Sequence, residues 1–255
     1  MDRRGYAPMA NGPEDSWGEF RSKVNGPCPG CPRDRSKMPI SFPRRVDPSK
    51  VDFLIVSQEP GHWLRSLASN KAVESKLVEL CRNGEPPDEV RKANPLSKVV
   101  QLFGGFDPTG DRTYWTHALK CVPVTSDRDV NKEWRKAATK CQEHFIAELH
   151  LLGKDELNVI AFGKYALEMC LSVFDGQNID QELSISEFMQ SSKFPLTYKF
   201  RFKDGTSKNV KLFVFTNPSA EVVKVKKSGG KMTTEEIQVL ESERIRQIIQ
   251  NKGSR

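Results

Sequence analysis

Val51-Asp52-Phe53-Leu54-Ile55-Val56-Ser57-Gln58-Glu59-Pro60-Gly61-His62 is the stretch on which the fold turns. Its first half is a short, nearly continuous apolar run, the pattern of a strand buried on both faces of a parallel sheet. Its second half breaks abruptly into polar residues with Pro and Gly, so the strand delivers Ser57 to His62 to its carboxyl end. Open α/β sheets build their ligand sites at that end.

The same unit recurs further along the chain. Residues 114–119 read as a second strand running into Lys120-Cys121-Val122-Pro123, followed by a helical stripe of Trp134, Ala138, Cys141, Phe145, Leu149 and Leu152. Residues 157–162 are a third strand that turns at Gly163 into a helix carrying Ala166, Leu167 and Cys170. Residues 194–214 predict a hairpin around Asp204-Gly205, feeding a last strand over 211–216 that stops at Asn217-Pro218-Ser219. Between the first two strands, Val73, Leu77, Leu80 and Cys81 recur at helical spacing, and a further helix spans 96–103. A closing helix starts at Thr233 or Thr234 and turns Ile237, Leu240, Ile245 and Ile248 inward.

Strands alternating with helices predict an α/β fold, a three-layer α/β/α sandwich around a mostly parallel four-stranded sheet. Residues 1–25 mix Gly, Pro, Asn and charges and are expected to be a loosely ordered arm before a single domain over 26–255. The carboxyl ends of the strands then gather Gln58-Glu59-Pro60, His117 to Cys121, Gly163 and Asn217-Pro218-Ser219.

Forty Lys and Arg against 33 Asp and Glu leave a net charge of +7, which suits a polyanionic partner but equally describes a solvated basic surface. No stretch approaches the roughly 20 apolar residues that cross a bilayer, and the amino terminus has no apolar run, so a cytoplasmic protein without a membrane segment is expected. In a reducing compartment the six cysteines are buried hydrophobes or ligands rather than a disulfide framework. Cys28 and Cys31 form a C-x2-C pair, and Cys121 and Cys141 lie where they can fold back towards it. Four thiolates suit zinc and a cubane iron-sulfur cluster alike, while Cys141 on an apolar stripe also fits a plain core position.

Taken in order, Cys28-Pro29-Gly30-Cys31, Phe53 to Gly61, Tyr114 to Pro123, Cys141, Val159 to Gly163 and Asn217-Pro218-Ser219-Ala220 resemble family 4 uracil-DNA glycosylases. The resemblance covers roughly residues 28–225 and implies that Cys28, Cys31, Cys121 and Cys141 hold a 4Fe-4S cluster, with zinc as the alternative. It also implies a DNA partner, base flipping and a monomer. Cys81 and Cys170 match no ligand position and read as core.

The first catalytic motif departs from the family, which has Gly-Glu-Ala-Pro-Gly where this chain has Ser57-Gln58-Glu59-Pro60-Gly61. Gln58-Glu59-Pro60-Gly61-His62 is closer to the Gln-Asp-Pro-Tyr-His segment of family 1 enzymes, whose acid polarises the attacking water. Glu59 is therefore the expected catalytic acid, with Gln58 and His62 beside it. In the second motif, Asn217-Pro218-Ser219 replaces the usual His-Pro-Ser, and mismatch-specific members of the superfamily also use Asn there. An amide can still donate a hydrogen bond to the departing base.

Two departures concern the base itself. His117 stands where the family has an Asn that reads uracil, and the segment that supplies a stacking Phe is missing. Trp63 is an alternative stacking platform, or a core residue; His117 reads a base or satisfies a loop. Ser219 and the Lys224, Lys226, Lys227 and Lys231 run fall where the superfamily places its minor-groove loop, so they are expected at the DNA phosphates, a solvated charge run being the bland alternative.

The expectation is a monofunctional glycosylase, since neither motif carries a lysine nucleophile. One alternative is excision of a modified base other than uracil, such as a bulky cytosine of phage DNA in antiviral defence. An alternative of another class is a DNA-binding or damage-sensing protein that has lost catalysis.

Overall fold

In the computed structural model, the described residues are 13–32, 38–39, 46–58, 112–122, 130–176 and 195–215, with Val239, Ser242, Glu243 and Arg246. The elements in chain order are α1 (Pro13–Asn25), β1 (Met38–Pro39), β2 (Phe53–Ser57), β3 (Thr113–His117), β4 (Cys121–Val122), α2 (Val130–Leu151), β5 (Glu156–Phe162), α3 (Lys164–Phe174), β6 (Leu196–Arg201) and β7 (Ser207–Phe215). The main sheet is mixed and mostly parallel, in the order β3-β2-β5-β7-β6, with only β6 antiparallel to its neighbour.

The α/β class and the parallel pairing follow the sequence expectation, and among the described residues the sheet has five strands where four are expected. The fifth is β6, the first limb of the hairpin. It buries nothing on one face: Leu196, Tyr198 and Phe200 lie half-buried while Thr197, Lys199 and Arg201 are exposed. A one-sided edge strand alternates, so it lacks the continuous apolar run that marks β2 and β5. The same reasoning explains why β7 starts at Ser207, ahead of the expected 211. Its first half alternates against β6, and only its last four residues are buried in succession.

Residues 13–25 differ more sharply from the expected arm. Trp17, Phe20 and Val24 repeat at helical spacing and are buried in the core, with the Trp17 ring 5.2 Å from Tyr114 of β3. Of the closing helix, Val239, Glu243 and Arg246 are helical and exposed, which marks a solvent face; its expected inward residues lie outside the described set. So do the helices expected between 62 and 103. Among the described residues no helix is long and apolar enough to cross a membrane.

The core is the apolar face of the sheet elements packed against α1, α2 and α3, where Trp134 of α2 stacks on Tyr165 of α3 with ring centroids 4.5 Å apart. At the amino end of β2, Asp52 is clamped by Arg112 Nε at 2.6 Å and Lys154 Nζ at 2.6 Å. Lys208 of β7 donates to the carbonyls of Leu152 and Lys154, just past the carboxyl end of α2, where a helix's last carbonyls lack internal partners. Both features brace the end of the sheet remote from Ser57 and His117.

Candidate functional site

The parallel register between β2 and β3 pairs Leu54 with Tyr114 and, at the carboxyl ends, Ser57 with His117. Ser57 Oγ and His117 Nδ1 share a short hydrogen bond, and Trp115 Nε1 donates to the same hydroxyl at 3.1 Å. The chain beyond β3 is held against β2, because Ala118 N–H donates to the Ser57 carbonyl (2.7 Å) and Leu119 N–H to that of Gln58 (3.0 Å). This hold explains why β3 ends at His117 although Ala118 and Leu119 are apolar and buried.

His117 is buried, and that burial, with the Lys120 charge acting in the same direction, pushes its pKa down to about 3. At neutral pH the imidazole is uncharged. A neutral ring held through Nδ1 can take part in hydrogen-bond readout and does not act as a fixed cation.

On the other side of β2, the ends of β5 and β7 bring Phe162 and Phe215 together, ring centroids 5.4 Å apart. Gly163 then turns the chain into α3 with φ 85° and ψ 169°, a conformation that side chains with a β-carbon avoid, while its N–H donates to the Phe215 carbonyl at 2.8 Å. All four parallel strands thus end on one edge, which by chain order precedes Glu59 by one residue at Gln58 and Asn217 by two at Phe215. Glu59, His62, Trp63, Asn217, Ser219, Lys224, Lys226, Lys227 and Lys231 themselves lie outside the described residues.

Three residues after His117 the chain enters a second polar centre. Lys120 is 3% exposed and Glu148 of α2 is 0% exposed; the two form an ion pair. Lys120 Nζ also donates to Thr116 Oγ1 and to the His117 carbonyl, the latter at 2.6 Å. Glu148 Oε1 accepts from Tyr114 Oη (2.9 Å) and Thr116 Oγ1 (2.7 Å). Burial pushes the Glu148 carboxyl pKa upward, opposed by Lys120 and the two hydroxyls.

Beyond Lys120 lies a cysteine-rich corner. Pro29-Gly30 makes a tight turn, with Gly30 at φ 74° and Cys31 N–H donating to the Cys28 carbonyl at 2.9 Å. The turn rests on α2: the Lys140 side chain covers Gly30, and Cys28 Sγ stands 3.7 Å from His144 Nε2. Cys121 pairs with Pro39 in the small antiparallel ribbon of β1 and β4, which the sequence reading did not anticipate.

Burial pushes the Cys141 thiol up to about 12; a backbone hydrogen bond from Lys120 opposes this, and the nearby Cys121 and Cys31 reinforce it. The four cysteines singled out from sequence therefore share one corner, supplied by the Pro-Gly turn, β4 and α2. Among the described residues no three His, Cys, Asp or Glu side chains close around a single point as a metal shell. Cys170 is buried in the core as expected, its thiol pKa raised by that burial.

Sequence reasoning missed Ser57 as the partner of His117, and missed Lys120, His144 and Glu148. The signal for the last two was present. They lie three and seven residues beyond Cys141, hence on the apolar stripe of α2, where a charged or imidazole side chain needs a partner. No protein-family model matches the chain, and no curated protein matches it.

Proposed function

We propose that the protein is a monofunctional DNA glycosylase of the uracil-DNA glycosylase type, a cytoplasmic monomer with the three-layer α/β/α arrangement of that fold. The observation that carries this reading is the β2/β3 register. It sets His117 beside Ser57, from which the chain leads through Gln58 directly into Glu59, and Cys121 follows four residues after His117. A glycosylase needs a water-directing carboxylate and base-reading groups at the carboxyl ends of a parallel sheet, and by chain order both motifs follow directly on strands that end there.

Breaking an N-glycosidic bond builds positive charge on the sugar and negative charge on the departing base. Glu59 stabilises the first and orients the attacking water, with Gln58 and His62 alongside, and Asn217 donates to the base as it leaves. His117, uncharged, reads the base edge, while Trp63 stacks on the extruded ring. Ser219 and Lys224, Lys226, Lys227 and Lys231 hold the phosphates of the distorted duplex.

Cys28, Cys31, Cys121 and Cys141 suit a four-thiolate group by the chemistry of the donor set: Cys31 and Cys121 lie near Cys141, and Cys28 meets His144 one turn along the same helix. A 4Fe-4S cluster held by these four cysteines would tie their three chain segments together and would supply one-electron redox capacity.

A second reading, release of a modified base other than uracil, is favoured by His117 itself. An imidazole hydrogen-bonded to Ser57 offers a different pattern from the Asn that reads uracil. The deciding experiment incubates the protein with duplexes containing uracil, hypoxanthine, thymine mismatches or modified cytosines and identifies free base by mass spectrometry. Release by wild type and loss of release in Glu59→Ala is the expected result. DNA binding with no base released from any duplex overturns the catalytic reading in favour of a damage-sensing protein.

A further inference from the structure

We propose that His144 donates a hydrogen bond to the Cys28 sulfur and thereby sets the reduction potential of the iron-sulfur cluster, an inference that rests on the four-cysteine reading above. His144 Nε2 lies 3.7 Å from Cys28 Sγ, within the range of a sulfur-accepted hydrogen bond, across 116 residues of sequence. The imidazole is buried and sits one turn beyond Cys141 on α2. One helix therefore supplies both a ligand and the donor to a ligand on another segment.

The direction of the bond follows from the chemistry. A metal-bound thiolate carries no proton, so the imidazole must donate through Nε2–H. The contact does not stand alone, since the Lys120 backbone also bonds the Cys141 sulfur. Hydrogen bonds to the sulfurs stabilise the more negative cluster state, which raises the potential. A protein that places a buried imidazole on one sulfur and a backbone amide on another makes the reduced cluster easier to reach.

The test uses the full chain purified without oxygen, as wild type, His144→Leu and His144→Gln, with iron and sulfide content measured first. Midpoint potentials then come from redox titrations followed by electron paramagnetic resonance. Leu removes the donor at similar volume, and the Gln amide restores one. The Leu variant should be about tenfold harder to reduce, equivalent to about 59 mV for one electron, with Gln close to wild type.

Equal potentials in all three proteins overturn the inference and leave the cluster reading intact. If the Leu variant sheds its cluster, the Gln variant decides: a retained cluster at wild-type potential supports the donor role, and loss in both overturns it. Wild type that carries zinc or no iron overturns the cluster reading together with this inference.

Discussion

Replacing Lys120 with Met should destabilise the protein by about 3–5 kcal/mol at pH 7.5, because it leaves the Glu148 carboxylate buried with only two hydroxyl partners. An independent bound gives a similar figure. A stranded buried carboxylate takes up a proton, and protonating a carboxyl of ordinary pKa 4.5 at pH 7.5 costs about 4 kcal/mol, three units at about 1.4 each. That bound carries a sign. In the variant, folded Glu148 holds a proton that the unfolded chain releases above pH 4.5, so lowering the pH favours the folded state.

The deficit should therefore shrink by about 3 kcal/mol between pH 7.5 and 5.5. Urea denaturation followed by circular dichroism reads both effects. With a slope of roughly 3 kcal/mol per molar, the midpoint should fall by about 1–2 M at pH 7.5 and recover most of that at pH 5.5. Lys120→Met with Glu148→Leu should regain much of the loss, since an apolar pair strands no charge. A single variant within about 0.2 M of wild type at pH 7.5, or a deficit that grows on acidification, would refute the reasoning.

Two further predictions concern the strand ends. His117 should titrate near 3 by nuclear magnetic resonance, and between its ordinary 6.5 and that value the unfolded chain binds the extra proton. Stability is then lost as pH falls through that window, on the order of 1 kcal/mol per pH unit, and His117→Asn should lose less between pH 7 and 5 than wild type does. Gly163→Ala should cost roughly 1–3 kcal/mol, because φ 85° with ψ 169° is open almost only to glycine. A urea midpoint unchanged from wild type would show that the turn relaxes without penalty.

The parts of the fold legible in the sequence are those whose signal is local. Phe53 to Val56 and residues 157–162 read as strands because burial on both faces leaves them almost wholly apolar, Asn158 being the one polar residue, and Asp204-Gly205 marked its turn directly. What escaped depends on partners distant in sequence. Trp17, Phe20 and Val24 count as a core face only once Tyr114 is beside them, in a segment whose composition suggested disorder.

The site divides the same way. The cysteine spacing announced a shared corner, but the pairing of Ser57 with His117 exists only through a parallel register across 60 residues. Lys120 and Glu148 look like surface charges until both are found in the core, and only Glu148's place on an apolar stripe hints otherwise.

The strand order has a consequence for how the protein is made. β2 lies between β3 and β5, so both of its hydrogen-bonding edges are satisfied by chain that follows it, the later partner ending at Phe162. From Ser57 to Phe162 is 105 residues (162 − 57), and a ribosome adding about 5–20 residues per second needs roughly 5–20 seconds to supply them. Until β3 is made, 60 residues on (117 − 57), the nascent Phe-Leu-Ile-Val has both edges open, and until β5 follows it keeps one, a segment of the kind that pairs with its copies. Yield in cells should thus respond to translation speed and to chaperones that hold extended apolar peptides, with inclusion bodies forming when synthesis outruns them.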